Sequence, residues 1–231
     1  MCFRLLIFCC IIFVQPISAQ NCLDILRNNS LYSNSKDIIN GPKWLNDKRY
    51  SGNPMLEENF WPVADILYNG VHFTEIPMNY DLYKAEIIVY NPEKGQEKYV
   101  VINKEKLSSF SFTDTILHKK HFYEYIELQG TIGKALYENI AVGKASLLIK
   151  PMKKIEQTPG ENREGKYSDS YEYYFETGNG YASFNSKSQF MYILANHRSE
   201  VKRFIRREKI KINNMLPDNI IPVLKYYEEL N

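Results

Sequence analysis

The spacing of apolar residues changes along the chain and divides it into segments. Near the N-terminus, an unbroken apolar run from Leu5 to Val14 follows the single charge of Arg4 and ends at Gln15-Pro16. Ile17-Ser18-Ala19 then supplies a small residue at a cleavage position, an order typical of an export signal. The run is too short to span a bilayer. We predict a signal peptide over residues 1–19 and an exported mature chain.

Alternation of apolar and polar residues begins only after Trp61. Residues 20–60 show no lasting periodicity, which predicts an irregular lead-in with one short helix around Cys22 to Arg27. Val63 to Tyr68 and Val71 to Ile76 flank Asn69-Gly70, a pair suited to a type I′ hairpin turn because both residues must adopt positive φ. Residues 61–185 therefore form a β-rich body.

Further short segments with strand composition follow this hairpin, while the polar stretch from Gln157 to Ser170 lacks an apolar stripe and predicts a mobile surface loop. The predicted strands are Ala85 to Tyr90, Tyr99 to Asn103, Phe110 to Thr115, Phe122 to Leu128, Leu136 to Ala141, Ala145 to Lys150, Tyr171 to Thr177 and Tyr181 to Asn185.

Helical periodicity replaces the alternation after residue 185. Ser186 and Gln189 have the spacing of a capping box, which predicts a helix that continues to about Arg207. Pro217 opens a last helix ending near Leu230, and Pro222 must kink it or move its start. We therefore predict an α+β fold: an antiparallel β-rich open barrel or sandwich, with residues 186–231 forming a C-terminal helical hairpin packed on the body.

Charge and cysteine content exclude several classes of function. The chain has 29 Lys and Arg against 27 Asp and Glu, which gives no global bias toward nucleic acid. Three of its four cysteines lie in the predicted signal peptide, so Cys22 cannot form an intrachain disulfide and either pairs with another chain or remains a tolerated thiol. No later apolar run is long enough for a transmembrane helix in the mature chain.

No motif indicates a cofactor or a metal. The glycines and lysine of residues 160–166 have the spacing of a phosphate-binding loop, but Tyr167 replaces the Ser or Thr that magnesium requires, and no apolar strand leads in. His118 and His121 enclose two lysines, whose charges oppose a bound cation. We therefore expect no cofactor and no metal site.

Acidic residues in apolar surroundings are the candidates for catalysis. Glu124 lies between Phe122 and Ile126, Glu86 precedes Ile88, and Asp81 lies in a tyrosine-rich segment. Acids that discourage aggregation at strand edges explain Glu86 and Glu124 equally well. Because neither a serine elbow nor a cysteine and histidine pair is present, an enzyme is not the favoured class.

Aromatic and basic residues supply the candidates for binding. Aromatic side chains line ligand grooves and also pack ordinary sheets, so both interpretations stay open. Basic side chains near a helix C-terminus complement the helix dipole, or they contact an anionic lipid, lipopolysaccharide or acidic partner at a peripheral membrane surface. The aromatic candidates are Trp61, Tyr80, Tyr83, Tyr171 and Tyr173, and the basic candidates are Arg203, Arg206 and Arg207.

Six short segments of the chain carry a resemblance to known proteins: Val201 to Arg206, Ile210 to Ile212 and Ile221 to Tyr227 in the tail, and Tyr68 to Gly70, Tyr80 to Tyr83 and Gly41 to Trp44 earlier. They resemble a group of exported proteins common in Bacteroidetes, which implies one architecture and the periplasm or cell envelope of a Gram-negative bacterium. The resemblance supplies no catalytic residues.

These observations favour an exported, non-catalytic binding or accessory module of the cell envelope, acting on an unidentified envelope ligand or protein partner. The first alternative is a hydrolase of glycan or envelope polymer that uses Asp81, Glu86 or Glu124. The second is a purely structural envelope protein.

Overall fold

The computed structural model describes residues 38, 40–47, 49–93, 96–114, 117–128, 130–131, 133–157 and 165–231. The predicted signal peptide, the short helix around Cys22 and Cys22 itself lie outside the described residues.

One mixed sheet dominates the fold, in the order β1-β10-β9-β8-β7-β6-β2-β3-β4-β5, with β11 beside β10. Neighbouring strands are antiparallel except β1 and β10. The strands are β1 (Tyr50–Ser51), β2 (Val63–Tyr68), β3 (Val71–Asp81), β4 (Glu86–Glu93), β5 (Gln96–Val101), β6 (Leu107–Thr113), β7 (Lys120–Ile126), β8 (Ala135–Val142), β9 (Ala145–Gln157), β10 (Gly165–Thr177) and β11 (Gly180–Phe184).

Three helices follow the last strand: α1 (Lys187–Ile193), α2 (Arg198–Arg207) and α3 (Pro217–Glu229). The predicted α+β class is confirmed, and the sheet remains open rather than closing into a barrel. No helix in the described part of the chain is long and apolar enough to cross a membrane.

The predicted Asn69-Gly70 hairpin is confirmed. Asn69 and Gly70 have φ of 51° and 76°, and Tyr68 faces Val71 across the turn. The second strand of this hairpin is longer than predicted, because β3 continues to Asp81. Its first part pairs with β2 and its last four residues pair with β4. An irregularity with Glu75 at φ 57° interrupts the ladder with β2 between Phe73 and Ile76.

The loop predicted from Gln157 to Ser170 is wrong for Gln157 and for residues 165–170, which belong to strands, while residues 158–164 lie outside the described part of the chain. β9 continues to Gln157 and β10 begins at Gly165, with these two residues as cross-strand partners. The prediction failed because it depended on an apolar stripe. Backbone hydrogen bonds between β9 and β10 hold these residues in strands although their sequence is polar.

The single helix predicted from Ser186 to Arg207 is interrupted. The Ser186 hydroxyl accepts from the Gln189 N–H at 3.4 Å, as a helix cap requires. A short 3-10 turn over Ala195–His197 then separates α1 from α2. The last helix runs from Pro217 through Pro222 to Glu229, close to its predicted bounds.

The apolar core has two main parts. In the first part, Ile87 and Val89 of β4 pack with Ile66 of β2 and Phe110 of β6. The β4 end of the sheet therefore covers the strands β2 and β6. In the second, the three helices cover β8 to β11, with Phe175 contacting Tyr227. The arrangement is sandwich-like because one long sheet is covered at two places by different elements.

Candidate functional site

A cleft opens where β8 separates from β9. The ladder between them ends at Glu138 and Ile149, so residues 135–137 of β8 have no partner on β9. Beyond this point β9 remains paired with β10 and continues toward the turn after β3, where the Lys153 N–H donates to the Leu82 carbonyl at 3.4 Å. The space left between β8, β9 and this turn has a volume of about 320 Å³.

Lysine side chains dominate this space, which we call the lysine cleft. Of the described residues that line it, none is acidic, while Leu82, Leu136 and Met152 add apolar surface. Ammonium groups converging on a partly apolar cavity raise the local concentration of anions. The lysines are Lys104, Lys134, Lys150, Lys153 and Lys154.

Two of these lysines already have carboxylate partners. Lys153 Nζ lies 2.5 Å from Glu58 and 2.9 Å from Asp169, and its side chain is only 5% exposed. Burial lowers the pKa of Lys153, but hydrogen bonds to the two carboxylates outweigh burial and leave that pKa raised. Lys150 pairs with Glu172 at 3.1 Å.

The other three lysines supply uncompensated charge. Lys104, Lys134 and Lys154 are exposed, and none forms an ion pair with an acidic side chain in the described part of the chain. They come from three places in the fold. Lys104 lies in the turn before β6, Lys134 directly before β8, and Lys154 in the part of β9 that has left β8. Such a positive surface is complementary to a phosphate or carboxylate group.

Tyrosines form another part of the wall. Tyr80 and Tyr83, two of the predicted ligand-binding residues, both line the lysine cleft. Tyr80 is 6% exposed, whereas Tyr83 is 41% exposed. Tyr125 donates to Glu105 at 2.8 Å, and burial together with this hydrogen bond raises the pKa of Tyr125 to about 12. The Tyr125 phenol therefore stays protonated at neutral pH.

A buried carboxylate lies further along β8. One row of cross-strand partners runs through seven strands, and Glu138 is its only charged member, at 8% exposure. The row consists of Ile66, Phe110, Tyr123, Glu138, Ile149, Tyr173 and Phe184.

The Glu138 carboxylate contacts two neighbouring side chains. Its Oε1 atom lies 2.8 Å from His121 Nδ1 and 3.7 Å from Lys119 Nζ. Sequence reasoning missed Glu138, although its position between Leu136 and Ile140 marks it as facing inward. A buried carboxylate of this kind needs partners to offset its desolvation, so its contacts explain its presence without a reaction.

The three predicted carboxylates do not form one site. Asp81 and Glu86 are cross-strand partners, and Asp81 is fully buried, where it accepts from Trp44 Nε1 at 3.0 Å. Glu124 lies on β7 and accepts from Asn139 Nδ2 at 2.8 Å. Each of these hydrogen bonds holds two segments of the fold together.

The remaining binding candidates lie apart. Trp61 packs against Tyr99, Tyr171 is half-buried, and Tyr173 is fully buried with its hydroxyl donating to the Met215 carbonyl. Arg203, Arg206 and Arg207 are exposed on α2, and none of them lines the lysine cleft.

No metal centre forms among the described residues, since no group of three or more His, Cys, Asp and Glu side chains could hold an ion. His121 is engaged by Glu138, and His118 is exposed.

The fold and the lysine cleft together define an open-sheet α+β protein with a lysine-lined cavity. Comparison with protein-family models, with curated proteins and with solved structures finds no match. Function is therefore inferred from the chemistry of the lysine cleft.

Proposed function

We propose that the protein is an exported, non-catalytic binding module of a Gram-negative cell envelope, and that the lysine cleft holds an anionic group of an envelope component. The observation that carries the proposal is the convergence of five lysines on a cleft without an acidic lining residue. The signal peptide predicted over residues 1–19, with its apolar run from Leu5 to Val14, supports export, and the resemblance of the tail supports an envelope location.

The ligand chemistry follows from the free charges. Lys104, Lys134 and Lys154 present three ammonium groups, and the Tyr83 hydroxyl adds a neutral donor. Phosphate accepts several such donors at once, while the apolar wall suits the carbon skeleton that carries it. A phosphorylated sugar and an anionic lipid headgroup share this chemistry.

The contacts of the acidic residues support a non-catalytic role. Asp81, Glu124 and Glu138 are all held by hydrogen bonds to other side chains. A general acid or base must reach a substrate proton, and these carboxylates face the protein interior or a neighbouring strand.

The proposal is tested by isothermal titration of the purified protein with pyrophosphate, glucose 6-phosphate and glucose, and by sedimentation with vesicles of anionic or zwitterionic lipid. We expect the phosphorylated probes to bind in a manner that depends on Lys104, Lys134 and Lys154, and glucose to give the same heat with and without these lysines. The triple variant Lys104→Gln, Lys134→Gln, Lys154→Gln should weaken binding at least tenfold, because it removes three charges from one site.

A matched variant separates the cleft from bulk charge. Lys202→Gln, Arg203→Gln, Arg206→Gln removes the same charge from α2, and we expect it to bind the phosphorylated probes like the native protein. Equal weakening by both triple variants, or no binding of any anion, would overturn the proposal. Binding of anionic vesicles but not of glucose 6-phosphate would identify the lipid headgroup as the source of the anion.

A further inference from the structure

A second cleft, of about 400 Å³, lies at the ends of β2, β6 and β7. The segment before β2 forms one wall with Phe60, Trp61 and Pro62, and Phe112 of β6 also borders the cleft, although its ring packs in the core. Its floor consists of outward-facing polar side chains of the three strands. We call it the tryptophan cleft, and it shares no lining residue with the lysine cleft.

The indole of Trp61 is held in place by contacts with other aromatic rings. The ring of Tyr99 lies at a centroid distance of 5.0 Å and that of Tyr90 at 6.5 Å, both tilted against the indole. Trp44 in turn packs edge-on against Tyr99 at 6.4 Å. All four rings are only partly buried. A ring fixed in this way loses little conformational entropy when a ligand packs against it.

The polar groups of the tryptophan cleft come in two cross-strand pairs. Asp65 faces Ser111 across β2 and β6, and Thr113 faces Lys120 across β6 and β7. Asp65 and Lys120 have no ion-pair partner among the described residues. The cleft thus offers an acceptor, a donor and two hydroxyls that serve as either, with no net charge.

We propose that the tryptophan cleft binds a neutral pyranose sugar, packed against Trp61 and hydrogen-bonded by Asp65, Ser111, Thr113 and Lys120. A sugar ring has an apolar C–H face for the indole and hydroxyls that both donate and accept, which matches this lining. An anion would meet Asp65, a cation would meet Lys120, and an apolar segment would leave all four polar groups without partners.

The native sequence allows a specific fluorescence test, since the chain has two tryptophans. In Trp44→Phe, Trp61 is the sole indole. We expect its emission to change saturably with at least one oligosaccharide among β-1,4-linked glucose, β-1,4-linked N-acetylglucosamine, α-1,4-linked glucose and mannose oligomers. Glycerol at equal viscosity, which has no pyranose ring, serves as the solvent control.

Two further variants assign the signal to the cleft. Asp65→Asn, added to Trp44→Phe, should weaken binding at least fivefold, because it replaces a charged acceptor. Tyr192→Ala removes an aromatic ring that is 82% exposed on α1, outside this cleft, and should leave binding unchanged.

Because Trp44 donates to Asp81, the folding of Trp44→Phe is checked by circular dichroism. If that variant unfolds, saturation-transfer NMR on the native chain and on Asp65→Asn gives the same comparison. Absence of saturable binding by every named oligomer at millimolar concentration would overturn this inference, as would affinity unaffected by Asp65→Asn. Neither result bears on anion binding in the lysine cleft.

Discussion

At the scale of single residues, Asp81 illustrates how a candidate catalytic acid takes a structural role. Its side chain accepts from Trp44 Nε1 at 3.0 Å, from the Tyr83 N–H at 3.0 Å and from the Lys84 N–H at 2.9 Å. It therefore orders the turn between β3 and β4 and fixes Trp44 beside it. That turn forms part of the lysine cleft through Leu82 and Tyr83.

The Asp81→Ala substitution should lower the free energy of unfolding by about 2–4 kcal/mol, because it leaves three N–H donors without their acceptor. Urea unfolding followed by circular dichroism measures this change. Glu86→Gln, on the cross-strand partner, retains a hydrogen-bonding side chain of equal size and should change stability by under about 1 kcal/mol. An Asp81→Ala protein as stable as the native one would contradict this structural role.

At the scale of elements, the β8–β9 hairpin docks on the last helix through Gly143. This glycine has φ of 62°, and a Cβ atom at its position would lie 2.8 Å from the Cβ of Glu228 on α3. A Cβ contact so short forces the hairpin and α3 apart. Gly70 in the β2–β3 turn also has positive φ, but a Cβ there would contact nothing within 4 Å.

We therefore expect Gly143→Ala to destabilise the protein more than Gly70→Ala does. Both substitutions place alanine at positive φ, which costs about 1–2 kcal/mol. Only Gly143→Ala adds overpacking against a helix, worth about 1–3 kcal/mol more. Thermal unfolding of the two variants gives the comparison. Equal losses of stability in the two variants would mean that α3 moves away from the hairpin without a cost in free energy.

At the scale of the whole molecule, two parts of the core share one sheet. Trp44 and Trp61 lie near β5 and β2, next to one part, whereas the helices cover the other. The row through Tyr123, Glu138 and Ile149 connects β7, β8 and β9 between them. A strand that contributes side chains to both parts of the core cannot unfold from one part and stay packed in the other.

This sharing predicts one cooperative unfolding transition. Tryptophan emission reports the part near β2 and β5, and the helical circular dichroism signal reports the part under α1 to α3. The two signals should change at the same urea concentration. Loss of the helical signal well before the tryptophan signal would indicate that the helices unfold separately from the sheet.

Turns and helix caps were predictable from the sequence where the residues that form them are neighbours in the chain. The hairpin at Asn69-Gly70 follows from backbone conformations that those two residues favour, and the Ser186 cap follows from a hydroxyl three residues from its donor. The break between α1 and α2 was not predictable, because apolar spacing continues across it. The extensions of β9 and β10 were also not predictable, because each strand is held by backbone hydrogen bonds to the other.

Periodicity and turn residues act within a few positions, so the amino-acid sequence is sufficient to predict the β-rich body, the C-terminal helices and their approximate bounds. Which side chains share a cleft depends instead on how distant segments pack. Lys104, Lys134 and Lys154 are far apart in the chain, and they meet because β8 leaves β9 at Glu138. Strand order and register set that meeting, and both depend on packing between distant segments.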